Sequence, residues 1–408
     1  MRQSRIVFVL EYFPPHVGGV ETLFAHLTEA LVQTGYAVSV ITLHLPGTKT
    51  REVVNGVEII RVRTPQRARR YLFTIMSLPA VLRHVASADI VHTTTYNAAI
   101  PAWIAATLWR KPTVLTVHEV FADQWNTLLG LNRFVGYAFR AYEWAILHLP
   151  FARYACSSAF TRRRLVRLMH VDPARASVAY PAIDYTFWDA AAHRRRDLTR
   201  DLGLDARTFL SLYFGRTGIS KGIEYLIDAM PRIRAQVPRS HLVMILAKDP
   251  ADQYARLLQR IARHNLTEYV TILDPVAREE LPQYLLAADA VIIPSVSEGF
   301  GYAAVEAVTL GCPVIATTGH AVEEVVGESV TLVPPRDPAA LADAVVSLAR
   351  KRPPHRQPAR YTVASHIATM QAIYAGLIAR RTRQAAPTPM IEQEPAHAPE
   401  VAQHDGYE

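Results

Sequence analysis

The chain has 408 residues, half of them hydrophobic and a fifth charged, which predicts a globular body long enough for two α/β domains. No stretch reaches the roughly 18 to 20 uninterrupted apolar residues that a membrane span requires, and two cysteines far apart exclude a disulfide framework or a cysteine metal cluster. We therefore expect a protein of a reducing compartment, cytoplasmic or peripheral on the cytoplasmic membrane face.

The net charge is +8, and the last 25 residues, 384–408, hold five acids and no Lys or Arg, so the remaining body carries +13. A body this basic favours anionic partners. No zinc-finger, recognition-helix or RNA-binding signature accompanies the charge, so we predict no nucleic-acid partner. An anionic membrane surface or an anionic substrate is favoured instead.

The N-terminal elements predict a Rossmann-like opening. Residues 6–10 form an apolar run typical of a strand buried on both faces, a loop with Gly18 and Gly19 follows, and 20–33 has a helical pattern before a strand at 37–42. We expect the first residues to form this strand and not a cleaved leader. The glycine pair by itself is equally consistent with a tight turn.

Basic residues cluster in two parts of the first half. One cluster precedes the apolar residues of 72–78 and suits an interfacial membrane segment or, equally, a solvated loop before a core helix. Its arginines are Arg51, Arg61, Arg63, Arg67, Arg69 and Arg70. The second cluster, on a predicted helix, could contact lipid headgroups or acidic acceptors, although a solvated face is the commoner meaning. Its arginines are Arg162, Arg163, Arg164 and Arg167.

Two histidines end predicted parallel strands: His92 is the last residue of 89–92, and His118 is the last residue of 113–118, with Glu119 directly after it. The carboxyl ends of such strands form the rim at which these sheets bind ligands. An isolated histidine there is more often structural than functional.

The second half opens with a predicted strand at 209–214 and a loop that reads G-R-x4-K-G, with Gly215, Arg216 and Lys221. Two fixed cations five positions apart could clamp a diphosphate and stabilise the charge that develops as it leaves. The alternative is a solvated basic loop.

A second motif follows the predicted strand 290–293 and reads E-G-F-G-x4-E, with Glu298 in the loop and Glu306 about one turn into a helix. A helix start attracts phosphate, and Gly299 and Gly301 let a ligand approach the backbone. Carboxylates beside such a site can accept hydrogen bonds from sugar hydroxyls. Solvated glutamates at this spacing also occur by chance.

Together the two motifs resemble the donor-site signature of the family 4 retaining glycosyltransferases, which have the GT-B fold. The resemblance covers about 5–380 and is strongest over 209–316. It implies two Rossmann-like parallel-sheet domains with an interdomain cleft: an acceptor-side domain at 1–190 and a nucleotide-sugar domain at 200–360. We expect the chain to cross between them in the charged stretch 193–200. It also implies a helix at 361–382 that returns to the first domain, and we expect a disordered tail at 384–408.

The resemblance also implies roles for individual residues. Arg216 and Lys221 would hold the diphosphate of a nucleotide sugar, Glu306 the ribose, and Glu298 the sugar hydroxyls. The other residues implied near the donor are Gly18, Gly19, His118, Gly215, Val276 at the base, Gly299, Phe300 and Gly301. The expected reaction transfers a hexose-type sugar with retention to a glycan or lipid-linked acceptor, without an enzyme nucleophile, in surface polysaccharide or glycolipid assembly.

Three departures from the family pattern are visible. Pro181 and Ala182 replace an Asn-Gly pair, 247–250 lacks the usual G-x-G, and the register of 317–324 is open, with Gly319, His320 and Glu323 or Glu324 as partial matches. The chain has no D-x-D triplet, so we predict neither metal nor cofactor. A GT-B phosphorylase, a sugar-nucleotide epimerase or a catalytically silent interaction protein remain as alternatives.

Overall fold

The structure, a computed structural model, describes residues 3–16, 18–128, 132–351 and 359–385. Two α/β units, each built on its own sheet, make up the chain. Nearly all of the predicted tail at 384–408 lies outside the described residues. No described helix combines the length and apolar character that crossing a bilayer would need.

The first domain is built on an eight-stranded sheet of order β3-β4-β2-β1-β5-β6-β7-β8. Its strands are β1 Arg5–Val9, β2 Ala37–Leu43, β3 Arg51–Val54, β4 Val57–Val62, β5 Ile90–Thr94, β6 Thr113–Val117, β7 Arg153–Cys156 and β8 Ala176–Val178. Its helices are α1 Gly19–Gln33, α2 Arg69–Met76, α3 Leu78–Val85, α4 Ala99–Leu108, α5 Trp125–Leu128, α6 Arg133–Leu147 and α7 Ala159–Met169. The apolar run of β1 is fully buried in the middle of the sheet, as predicted.

One feature of this sheet escaped the sequence prediction. Strands β3 and β4 form an antiparallel hairpin at the edge, whereas the other described neighbours in the sheet are parallel. Asn55 and Gly56 connect them and both have positive φ, the backbone of a tight two-residue hairpin turn. The segment predicted as a basic loop therefore begins inside a strand.

The second domain has a parallel six-stranded sheet of order β11-β10-β9-β12-β13-β14. Its strands are β9 Phe209–Gly215, β10 Ser240–Leu246, β11 Val270–Leu273, β12 Ala290–Ile293, β13 Val314–Thr317 and β14 Thr331–Val333. The remaining helices are α8 Leu198–Asp201, α9 Ile223–Gln236, α10 Ala251–Arg263, α11 Leu281–Ala287, α12 Tyr302–Thr309, α13 Ala321–Val326, α14 Pro338–Arg350 and α15 Val363–Ala385.

The chain crosses between the two cores twice. Ala179 still packs in the first core, whereas Ile183 and Trp188 are already buried in the second. This crossing precedes the predicted stretch 193–200, because the Trp188 side chain needs the apolar surface of the second sheet. On the return, Tyr361 packs in the second core and Tyr374 of α15 in the first, so α15 ties the end of the described chain to the first domain.

Candidate active site

The two sequence motifs meet at the carboxyl ends of neighbouring strands. In the second sheet, β9 lies between β10 and β12, so the chain order reverses at the β9–β12 boundary. Such a reversal leaves a crevice at the carboxyl ends of the two strands, where open α/β sheets bind ligands. The G-R-x4-K-G loop follows β9 and the E-G-F-G loop follows β12, so both motifs line this crevice.

Backbone contacts fix the two loops against each other. The N–H of Val296 donates to the carbonyl of Ser220 over 2.7 Å. Gly222 has φ of +63°, and a Cβ at this position would lie 2.0 Å from the carbonyl oxygen of Pro294. Only glycine fits both the backbone conformation and the close approach. The packing brings the Lys221 side chain next to the second loop.

Lys221 and Glu298 form an ion pair at the centre of the crevice. The ammonium lies 2.7 Å from Glu298 Oε1, and the Ser295 hydroxyl donates to the same oxygen over 2.7 Å. Burial alone would raise the pKa of Glu298, but Lys221 and Ser295 outweigh it, so the pKa lies below its usual range. Glu298 is therefore an ionised hydrogen-bond acceptor. Lys221 pairs with Glu298 here and could pair with the anion of a ligand instead.

Arg216 lies at the mouth of the same loop with an exposed side chain. It follows Gly215, which ends β9 with φ of +147°. The Tyr213 hydroxyl donates to the Arg216 carbonyl over 3.1 Å and holds its backbone. The backbone of Arg216 is therefore held in place while its exposed guanidinium can reach an anion in the crevice.

Glu306 lies on α12, which begins directly after Gly301. Its carboxyl is partly buried, and burial raises its pKa to about 8, with Arg278 opposing the rise. At neutral pH Glu306 is therefore mostly protonated. Tyr302, one turn earlier, has a buried hydroxyl without a hydrogen-bond partner among the described residues. These two groups offer polar atoms beside the helix start.

His118 contributes to the crevice from the opposite domain. It directly follows β6, and a Cβ on Gly299 would lie only 1.8 Å from the His118 carbonyl oxygen. Burial, reinforced by His366, lowers the pKa of His118 to about 4, so the imidazole is neutral. Its Nε2 is buried and lacks a partner within the described part of the chain.

The glycine loop of the first domain closes over α12. Gly18 precedes α1 and Gly19 begins it, and a Cβ on Gly19 would approach the Tyr302 ring to 3.0 Å. Residue 17 of this loop lies outside the described residues. Both predicted glycines therefore lie at the cleft, next to the helix that carries Glu306.

Comparisons with known proteins identify this arrangement. Residues 17–187 match the profile of "Glycosyltransferase Family 4", and residues 208–351 match that of "Glycosyl transferases group 1". The chain belongs to the family 4 glycosyltransferases of group 1. It is therefore a GT-B enzyme that transfers sugar from a nucleotide sugar, and the predicted family and fold class are confirmed.

Individual relatives of this family 4 glycosyltransferase are similar to it in sequence or structure over most of its length. A glycogen synthase of Mycobacterium tuberculosis is 26% identical over 371 residues, which cover 84% of this chain and 86% of the relative. The sucrose-phosphate synthase of Thermosynechococcus elongatus superposes with a TM-score of 0.72 at 22% identity and covers 94% and 98% of the two chains. HepE of Anabaena, solved in complex with UDP-glucose, has a TM-score of 0.68 at 18% identity and covers 91% and 99%.

Glu119 is a site carboxyl that the sequence prediction did not select in this glycosyltransferase. It enters the cleft from the first domain, where the Ser297 hydroxyl of the second domain donates to it. Burial raises its pKa to about 7; the Ser297 hydrogen bond opposes this rise and nearby Glu298 adds to it. The sequence signal was its position directly after His118, at the end of a buried strand.

Glu324, one of the partial matches in 317–324, makes contacts across the domain boundary. Its carboxylate accepts the N–H groups of Ala159 and Phe160 at the start of α7 over 2.7 Å each, and the Tyr180 hydroxyl over 2.7 Å. A carboxylate at a helix start is favoured by the helix dipole. Glu324 thus links the two domains of the glycosyltransferase.

The other candidate side chains have structural contacts. His92 is buried, with its two ring nitrogens 2.7 Å from the hydroxyls of Tyr374 and Thr116, which favours its structural interpretation. The Phe300 ring is buried against Tyr361 in the second core. Val276 is half-buried against the second core.

Gly319 and His320 also have structural roles in this glycosyltransferase. His320 caps α13, and its Nε2 lies 2.9 Å from the carbonyl oxygen of Ser295. Gly319 has φ of +83° and donates its N–H to Glu323 over 3.2 Å. The described residues include no group of three or more metal-ligating side chains.

Proposed function

We propose that this enzyme is a retaining glycosyltransferase that moves a hexose-type sugar from a nucleotide diphosphate sugar to a hydroxyl of a glycan or lipid-linked acceptor. The acceptor would belong to surface polysaccharide or glycolipid assembly at the cytoplasmic face of the membrane. The names of the glycogen and sucrose-phosphate synthases and the UDP-glucose complex of HepE support a hexosyl donor.

The observation that carries the proposal is the Lys221–Glu298 pair at the strand-order reversal of the second sheet. An entering diphosphate offers Lys221 a more highly charged partner than a single carboxylate. Once Lys221 turns to the phosphate, Glu298 can accept hydrogen bonds from sugar hydroxyls. One ion pair thus provides a group for each half of the donor, and Arg216 adds the second cation.

The proposed step breaks the bond between the anomeric carbon and the phosphate oxygen and forms one to the acceptor oxygen on the same face. The acceptor proton passes to the departing phosphate oxygen, so no covalent enzyme intermediate is required. Lys221 and Arg216 stabilise the charge on the leaving diphosphate, and such fixed electrostatic groups supply much of the rate in many enzymes. Neutral His118 would lie beside the sugar, on the first-domain side of the cleft.

We further propose that the two cations replace a metal ion in this role. The proposal predicts that transfer continues when divalent ions are removed with EDTA. An enzyme that loses its activity with EDTA and regains it with Mg²⁺ or Mn²⁺ would contradict this part.

The experiment is thermal unfolding of the protein with a panel of UDP, ADP and GDP sugars. A donor at one hundred times its dissociation constant adds about 2.7 kcal/mol to the free energy of unfolding. We expect one sugar nucleotide to stabilise the native protein and to lose this effect in Lys221→Ala and Glu298→Ala. Incubation of that donor with candidate acceptors then tests transfer.

Lys351→Ala is the matched control for Lys221→Ala. Lys351 is exposed and follows the C-terminus of α14. Helices in such domains run antiparallel to the strands. The C-terminus of α14 therefore lies at the amino-terminal ends of the strands, opposite to the crevice at their carboxyl ends. Equal loss of donor stabilisation in both variants, or no stabilisation by any sugar nucleotide, would refute the assigned site and favour a catalytically silent protein.

A further inference from the structure

Large exposed apolar side chains are concentrated on the first domain. Ile75 and Tyr71 of α2 are 71% and 60% exposed, and Phe134 and Trp144 of α6 are 84% and 54% exposed. Among the described residues of the second domain, Leu258 is the one exposed large apolar side chain, and at 43% it is less exposed than these four. A folded protein seldom places several such side chains in water without a partner.

Helix α6 buries Ile146 and Leu147 in the core and also exposes a second apolar stripe. Phe134, Tyr137, Ala141 and Trp144 recur at helical spacing, and all are exposed. The acid of this helix, Glu143, is turned inward instead. Its carboxylate accepts the N–H groups of Phe121 and Ala122, at 2.9 and 2.6 Å, and the indole N–H of Trp125 at 3.0 Å. The outward face of α6 is therefore apolar and free of acids.

Helix α2 lies beside α6. The Thr74 hydroxyl of α2 donates to the Asn97 carbonyl over 3.0 Å, and the Tyr142 hydroxyl of α6 donates to the Asn97 side chain over 3.4 Å. Tyr71 and Ile75 are one helical turn apart on α2 and are both exposed. The exposed apolar residues of α2 and α6 are named here the α2/α6 face.

The charged residues around this face are positive. The stretch 63–76 contains Arg63, Arg67, Arg69 and Arg70 and no acid, and 132–150 contains Arg133, Arg140 and the buried Glu143. Arg70 is paired with Glu11, whereas Arg133 and Arg140 have exposed side chains. A partner that covers this face must combine an anionic surface with an apolar interior.

Other basic residues predicted to form such a surface do not. Arg61 is buried in β4 and paired with Glu52, so its inclusion in a solvated basic segment was wrong. Arg162 and Arg164 donate to the backbone carbonyls of Ala176 and Val120. Exposed apolar or basic side chains also occur elsewhere on the first domain, for example Val53, Leu108, Arg163 and Arg167, whereas α2 and α6 each carry both kinds.

We propose that the α2/α6 face docks on an anionic lipid bilayer, with Phe134, Tyr137 and Trp144 at the acyl boundary and the arginines at the headgroups. Aromatic and arginine side chains are suited to this depth, because each has an apolar body and a polar end. Glu143 ties α6 to Phe121, three residues after His118. Docking would therefore place the first-domain side of the cleft near the membrane, where a lipid-linked acceptor resides.

The test is co-flotation of the full-length protein with vesicles of phosphatidylcholine and phosphatidylglycerol in equal parts, at low salt and without donor. We expect binding, and none to pure phosphatidylcholine. Arg133→Gln with Arg140→Gln should weaken binding about thirtyfold, since each arginine near an anionic surface contributes about fivefold. Phe134→Ser with Trp144→Ser should weaken it at least as much, and Leu258→Ser should leave it unchanged.

Because the assay contains no donor, its outcome is independent of the proposed transfer reaction. Only the suggested reason for docking, access to a lipid-linked acceptor, rests on the proposed function. Thermal unfolding of each variant checks its folding, and exposed positions should change the melting temperature little. Absence of vesicle binding by the native protein would overturn the proposal, as would equal binding by the Phe134→Ser, Trp144→Ser variant. A native dimer that this variant dissociates would instead assign the face to self-association.

Discussion

Closure of the cleft depends on the absence of a side chain at Gly299, and Gly299→Ala tests this directly. The added Cβ would lie 1.8 Å from the His118 carbonyl oxygen and 2.8 Å from its carbonyl carbon. Both are backbone atoms, which cannot rotate away. The two domains must therefore separate locally by more than about 1 Å, because nonbonded contacts below 3.0 Å are essentially never seen for a Cβ.

The separation has two measurable consequences. The Ser157 hydroxyl, which lies 2.8 Å from the Gly299 carbonyl, loses this contact, and overpacking of this kind costs about 1 to 3 kcal/mol of unfolding free energy. Displacement of reacting groups by about 1 Å lowers the rate about a hundredfold. We therefore expect Gly299→Ala to fold, to bind the donor nucleotide on the second domain, and to lose at least about 99% of transfer.

The assay combines transfer rate, thermal unfolding and the radius of gyration from solution X-ray scattering. Gly376→Ala in α15 is the control, because nothing lies within 4 Å of its added Cβ and its φ is ordinary. That variant should gain roughly 0.5 to 1 kcal/mol from helix propensity and keep full activity. Native activity and native stability in Gly299→Ala would refute the close approach of the two domains.

Three further outcomes follow from individual contacts. Because the pKa of Glu119 is raised to about 7, its folded form holds a proton between pH 4.5 and 7 that the unfolded chain releases. Native stability should therefore fall as pH rises through this window, and Glu119→Gln, measured by urea unfolding at several pH values, should flatten the fall. Glu324→Gln should cost about 1 to 3 kcal/mol in urea unfolding, because an amide cannot accept both N–H groups of α7; unchanged stability would contradict the interdomain role. Glu306→Gln should weaken nucleotide affinity, measured by calorimetry, only about three- to tenfold, since the carboxyl is mostly neutral at pH 7; a thousandfold loss would show that the ionised form binds.

The predictable part of the site is the part encoded by short contiguous segments. Each motif spans one strand end, one loop and one helix start, so local pattern alone places Lys221 at the end of one loop and Glu298 in the other. The parallel sheet then brings the loops together, because strands on either side of an order reversal open their loops into one crevice. Their ion pair needs no information from the first domain.

The residues that sequence reasoning missed depend on contacts between distant segments. Glu119 becomes a site residue only because Ser297 approaches it across the cleft. Arg61 belongs to a basic run in sequence, yet its burial depends on Glu52 of the neighbouring strand, and an Asn55-Gly56 turn forms that pair. The Asn55-Gly56 pair could have predicted this hairpin from the sequence, since Asn-Gly between alternating apolar residues favours a two-residue hairpin turn.

The protonation states explain how a site with several carboxyls can accept a diphosphate. Burial raises the pKa of Glu119 to about 7 and that of Glu306 to about 8, whereas Lys221 keeps the pKa of Glu298 below its usual range. At pH 7 Glu298 is therefore the fully ionised one of these three carboxyls. It is paired with Lys221, and Arg216 is a second, exposed cation on the same loop as Lys221. We infer that the crevice is net positive before the donor binds. Above pH 8, ionisation of Glu119 and Glu306 removes this excess, so donor affinity should fall with a pH dependence that Glu119→Gln and Glu306→Gln each reduce.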